Sequence, residues 1–188
     1  GSNGACSDTA YVTVTVNANP ILFVSPDVAI CDGGSATLQA TGASNITWSP
    51  ATGLNTTTGN FVIASPAQTT TYTVTGTNNG CSSTDYVTVT VNPNPVVSVS
   101  GNNTICNGQS TALTASGAAT YNWSPSTGLD QTTGDVVNAS PAFNTQYTVV
   151  GTNIYGCTGS ANISITVNDV PYMPTSILGT ESNCLPMN

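Results

Sequence analysis

The amino-acid sequence predicts an all-β protein built as tandem β-sandwich modules of about 75 residues, each stapled by one disulfide. Three observations carry that expectation. Long segments recur at a fixed offset, short runs alternate apolar with polar residues, and cysteines fall at equivalent places in successive copies.

The repeat comes first, because it organises everything else. CDGGSATLQATGASNITWSPATGL, starting at Cys31, returns as CNGQSTALTASGAATYNWSPSTGL, starting at Cys106. TTTYTVTGTNNGC, ending at Cys81, returns one residue longer as NTQYTVVGTNIYGC, ending at Cys157. The ends stay in register too: GSNGAC at the start matches GTNNGC at Gly76–Cys81, and YVTVTVNANP matches YVTVTVNPNP. Residues 1–19 therefore read as the last strand of a preceding partial module. Residues 20–94 and 95–170 read as complete modules, and 171–188 as the start of a following one. The chain is expected to be a window of a longer array whose modules stack end to end as a thin rod.

Within a module the periodicity is that of strands. In YVTVTV, Val87, Val89 and Val91 point to one side and Thr88 and Thr90 to the other. Tyr72 and Val74 share the inner face of TTYTVTGT, as Tyr147 does in the second copy. SATLQAT, NITWSP and FVIASP are shorter strands, separated by turn-rich stretches such as SPATGLNTTTGN. Six or seven short strands without helical periodicity predict a small Ig-like sandwich, with Trp48 and Trp123 in its core. VNPNP at Val91–Pro95 and VNDVP at Val167–Pro171 read as short, semi-rigid linkers.

Six cysteines permit 15 pairings in principle, none forms a CxxC, and with no His a zinc site would need four scattered thiolates. Disulfides in an oxidising compartment are the expectation. The repeat makes Cys31 and Cys81 equivalent to Cys106 and Cys157, so the expected bonds are Cys31–Cys81 and Cys106–Cys157. Each would close a loop of about 50 residues and add roughly 4 kcal/mol. Cys6 and Cys184 are then half-pairs to flanking modules.

Composition narrows function. Charged residues make up 4 % of the chain, against about 25 % in an average domain. Lys, Arg and His are absent, and eight acids give a net charge of −8. Nothing cationic is present to neutralise nucleic-acid phosphates or an anionic membrane surface. No histidine base or Schiff-base lysine exists, and no apolar run is long enough to insert into a bilayer.

The joint pattern of WSP-x-TGL, YTV-GT-GC and VTVTVNP resembles the Ig-like, PKD-related repeats of very large secreted adhesins of gliding, Bacteroidetes-type bacteria. A PKD domain proper carries W-x-F-G-D-G, whereas Trp48 and Trp123 are followed by Ser-Pro. The resemblance implies an extracellular, cell-surface protein in which tandem repeats form filaments or stalks for adhesion or gliding motility. It implies flanking modules or neighbouring copies as partners, with surface glycans or proteins as alternative partners, and no cofactor. It also implies O-glycosylation after an Asp, which Asp8-Thr9-Ala10 matches at Thr9.

A site serving every module should repeat in each. No acid does: Asp32 faces Asn107, Asp85 faces Ala161, Asp130 faces Asn55, and Asp135 faces Asn60. Asp130 and Asp135 would make half of a calcium site, without the D-x-D-x-D-G order that supplies six to eight oxygens. Six N-x-S/T sequons, at Asn45, Asn55, Asn102, Asn122, Asn138 and Asn162, follow from so Asn/Thr-rich a chain. The expected role is structural or adhesive, not catalytic, either as a shaft or as binding modules in their own right.

Overall fold

A computed structural model describes residues 2–4 and 6–169, with the side chains at 2, 3, 6 and 7 excepted. The described residues are all-β and contain no α-helix. They divide into two units, residues 1–91 and 92–188. Before the first sandwich, β1 (Ser2–Asn3) and β2 (Cys6–Ser7) make a short antiparallel hairpin.

The first sandwich contains β3 (Phe23–Val24), β4 (Val28–Cys31), β5 (Ala36–Thr41), β6 (Asn45–Ser49), β7 (Phe61–Ala64), β8 (Thr70–Asn78) and β9 (Cys81–Asn92). One sheet runs β3-β5-β7 and the other β4-β9-β8-β6. The second sandwich repeats this with β10 (Ser98–Gly101), β11 (Thr104–Cys106), β12 (Thr111–Ser116), β13 (Thr120–Ser124), β14 (Val136–Ala139), β15 (Thr145–Thr152) and β16 (Thr158–Asn168). Its sheets are β10-β12-β14 and β11-β16-β15-β13.

Alternation does the sorting. In β12 and β13 every second residue is buried, so Leu113, Ala115, Tyr121 and Trp123 meet between the sheets. The first core is built from Leu38, Trp48, Val62, Tyr72, Val74, Val87 and Val89. Thr and Ser take the outward positions, as in Thr71 opposite Thr88, whose hydroxyls are hydrogen-bonded at 3.0 Å. Cross-strand pairs of this kind do on the outer face what ion pairs do elsewhere.

One feature lies outside the sequence reading. The first strand of each module is divided between the sheets: β10 pairs antiparallel with β12, and β11 then pairs parallel with β16. The register sets Thr104, Ile105 and Cys106 opposite Thr166, Val167 and Asn168.

The expected strand at the N-terminus is not formed. Residues 8–22 contain no strand, and Tyr11, Val12, Val14 and Val16 are all at least four-fifths exposed. The alternating sequence is right for a strand, but a lone strand gains nothing without a β8-like neighbour to share its backbone hydrogen bonds. The expected start of a following module, 171–188, lies outside the described residues.

Candidate functional site

The motif residues that recur converge on one loop per module, the segment after WSP. Trp48 is 2 % exposed, and its indole N–H donates to Gly59 O at 2.9 Å. Trp123, 4 % exposed, donates to Gly134 O at 2.9 Å. The fully buried Tyr72 donates its hydroxyl to Thr52 O at 2.7 Å, and Tyr147 does the same to Thr127 O at 2.7 Å. Burial pushes both phenols above their ordinary pKa, because ionisation would set an anion in an apolar core.

The TGL triplet follows from the same geometry. Gly53 has φ +74, and a Cβ there would lie 2.6 Å from Pro66 Cα, so only glycine fits. Its carbonyl accepts from Ser65 N at 2.7 Å. The loop also lies along the free edge of each sheet. Trp48 N donates to Thr57 O and Gly59 N to Ile46 O on the β6 side, while Asn55 N donates to Ile63 O beside β7. Isolated bridges Thr47↔Thr58 and Leu54↔Ala64 complete the seam, and Asn122↔Thr133 and Leu129↔Ala139 repeat it.

Asp130 belongs to this brace. Its carboxylate accepts from Asn138 N at 2.8 Å and Asn138 Nδ2 at 2.9 Å, as the Asn55 side chain accepts from Ile63 N at 2.7 Å. The bond from the Asn138 backbone holds the Asp130 carboxyl below the usual carboxylate range. Asp and Asn thus alternate in one structural role at equivalent positions. Asp27 likewise accepts from Thr88 N at 2.7 Å. Among the described residues no three His, Cys, Asp or Glu side chains gather as a metal site would require.

A depression of about 710 Å³ is lined by Ala115–Asn122 and Thr133–Asp135. Its only titratable groups are Asp135 and the Tyr121 phenol, which is occupied by Ala118 N and O. This is a shallow groove without an acid–base pair. Thr9 and all six sequon asparagines are exposed.

The cysteines correct the expected pairing. Cys81 is a free thiol, whereas Cys31, Cys106 and Cys157 are disulfide-bonded. With Cys81 free, the expected Cys31–Cys81 bond does not form, and the geometry of the second module excludes Cys106–Cys157 as well. The physical reason is visible within one module. Cys157 immediately precedes β16, while Cys106 lies opposite Asn168 at its far end. The strand's 11 residues separate them by roughly 35 Å, against a Cα separation below about 7 Å for a disulfide. The half-pair assigned to Cys184 lies outside the described residues, as does the side chain of Cys6.

Each turn before the last strand sits on the segment that enters its module. Cys81 Sγ lies 3.4 Å from Asn17 O, and Cys157 Sγ lies 3.9 Å from Asn92 O. Asn17 Nδ2 donates to Asn79 O at 3.3 Å, and Asn153 Nδ2 donates to Pro93 O at 2.9 Å. Sequence reasoning missed these asparagines. The signal for Asn17 was the N-x-N-P that follows each YVTVTV, and for Asn153 the recurring GTN before the turn cysteine.

No family model matches the chain, and no curated protein does. Solved structures match in fold. The N-terminal eight Ig domains of Down Syndrome Cell Adhesion Molecule align over 78 % of this chain and 27 % of their own, at 16 % identity and a TM-score of 0.50. The titin fragment I67–I69 aligns over 81 % of this chain and 67 % of its own, at 15 % identity and a TM-score of 0.43. The insect protein hemolin aligns over 80 % and 46 %, at 16 % identity and a TM-score of 0.40. The likeness to the cell adhesion molecule is one of fold: the modules are Ig-like sandwiches.

Proposed function

We propose that this chain is a structural repeat segment of an extracellular bacterial surface adhesin or filament shaft, which extends or presents a distal tip. The observation that carries the reading is how the recurring residues are used. Trp48, Gly53 and Tyr72, with their counterparts in the second module, are all committed to bracing their own loop. What repeats is what holds a module together.

The other reading, adhesive modules that bind glycans or proteins themselves, would ask for a shared exposed cluster. Between the two complete modules the exposed aromatics do not recur: Phe61 faces Val136, Tyr86 faces Asn162, and Phe143 faces Gln68. Resemblance to the repeats of gliding bacteria supports secretion and a cell-surface location, with flanking modules or neighbouring copies as partners. Immunogold labelling with an antibody against the two modules should decorate surface filaments along their length. Label confined to tips, or saturable binding of the purified chain on a glycan array, would replace the shaft by the adhesive reading.

A further inference from the structure

We propose that the open edge of β16 accepts an extended segment of a second copy of this chain, residues 11–16, by strand addition. The inference stands on edge geometry, and it holds whether or not the chain serves as a shaft.

The edge follows from the strand register. On one side β15 pairs with β16 from Thr158 to Ile165, whereas on the other β11 covers only Thr166–Asn168. Thr166 N donates to Asn103 O on that second side. N–H groups two residues apart along a strand point the same way, so those of Ser164, Asn162 and Ser160 face it too. None of the three meets an acceptor among the described residues. Between them, Ala161 and Ile163 are half-buried on the inner face and pack against the core.

The first module keeps the same place shut. Thr88, the counterpart of Ser164, donates its N–H to Asp27 Oδ1 at 2.7 Å, and Tyr86 N donates to Asp85 Oδ1 at 2.8 Å. Two carboxylates thus occupy two edge donors and set negative charge where a neighbour would dock. In the second module Asn102 and Ala161 stand at those positions, and the Asn102 carboxamide accepts from Thr104 N at 3.2 Å instead. The β9 edge is capped, and the β16 edge is bare.

The chain also carries a segment suited to that edge. Residues 11–17, YVTVTVN, are identical to residues 86–92, which lie within β9. Yet residues 8–22 contain no strand, and Val12, Val14 and Val16 are at least four-fifths exposed. Laid beside β16 with Thr13 and Thr15 outward, the segment would cover the flank of Ala161 and Ile163 with valines and supply carbonyls to the three open N–H groups. Neither residues 11–16 nor β16 contains a charged side chain, so in a chain of net charge −8 this pairing sets no carboxylates against each other. Donor segment and acceptor edge are different parts of the chain, so the contact is head-to-tail and can add copy after copy.

The test uses the full chain. Sedimentation velocity over a rising concentration series should show reversible association. Amide exchange at Ser160, Asn162 and Ser164 should slow as the oligomer forms, with Tyr86 and Thr88 unchanged. Asn102→Asp, which restores one cap of the first module, should weaken association about fivefold, the worth of one ladder bond. Thr13→Pro/Val14→Pro removes a backbone donor in either register and should abolish association without moving the melting temperature, since both residues lie outside every strand. A chain that stays monomeric throughout, or association that survives the double proline, would overturn the inference. So would association that Asn102→Asp leaves unchanged, or that slows exchange at Tyr86 and Thr88 instead.

Discussion

Replacing Tyr147 by Phe removes one hydroxyl and leaves the buried ring in place. The lost bond, 2.7 Å to Thr127 O, is one neutral hydrogen bond, and the carbonyl it served is left without that donor. Net loss of such a bond costs about 1–2 kcal/mol. In a module of this size that lowers Tm by about 5–15 °C. Scanning calorimetry with Tyr86→Phe as control makes the comparison direct, because Tyr86 is 62 % exposed and should shift stability by less than about 0.5 kcal/mol. The same hydroxyls predict a pH dependence. Burial raises the pKa of Tyr72 and Tyr147 in the folded state, so their contribution is fully present below about pH 10. It is lost as pH rises through the folded value, while the unfolded phenols ionise more readily. Wild type should lose Tm in that alkaline window, and the double variant Tyr72→Phe/Tyr147→Phe should lose less. If Tyr147→Phe matches Tyr86→Phe, or the alkaline loss is the same in the double variant, the hydroxyls do not brace the loop.

Gly53→Ala should destabilise more than Gly59→Ala: both need positive φ, but only Gly53 faces a backbone within 2.6 Å. Urea melts should show about 1–2 kcal/mol for Gly59→Ala, from strain alone, and a larger loss for Gly53→Ala. Asp130→Asn should leave the melting temperature at pH 7 nearly unchanged, since Asn55 serves the equivalent place. The carboxylate's contribution, present above its unfolded pKa, is lost as pH falls through its lower folded value, so the variant should be less acid-sensitive. With no Lys, Arg or His in the chain, Tm should barely move between 0.05 and 0.5 M salt, roughly a threefold change in Debye length. Acrylamide should quench Trp48 and Trp123 weakly in the folded protein, and strong quenching would contradict their burial.

Much of the fold was legible because alternation is a local property. Val87 and Val89 are buried where the period of two puts them, and Tyr72 and Val74 join them from β8. The WSP-x-TGL motif announced itself by recurring, though its meaning needed the bonds from Trp48 to Gly59 and from Tyr72 to Thr52. Two things were not legible. Nothing in VSPDVAIC says that one strand will leave β5 and continue beside β9, because both sheets offer it apolar faces. The cysteine pairing failed for a related reason. A repeat establishes which positions are equivalent, but leaves open whether a cysteine pairs inside its own module or outside it. Only the direction of β11 along β16 separates the two choices, by putting one cysteine at each end of the strand.

The loop seam along β6 and β7 bears on how such an array avoids misfolding. Tandem neighbours of similar sequence meet one another at about millimolar effective concentration, tethered by a few residues. Each sandwich would otherwise offer two bare strand edges on that side, both matched in sequence to the edges next door. The bridges Thr47↔Thr58 and Leu54↔Ala64 occupy those edges with the module's own backbone. A neighbour that tried to zip on would first have to strip off the loop, losing the Trp48 and Tyr72 bonds with it. Tethered copies can therefore crowd without exchanging strands, which is what allows one sequence to be repeated at close quarters and still fold one module at a time.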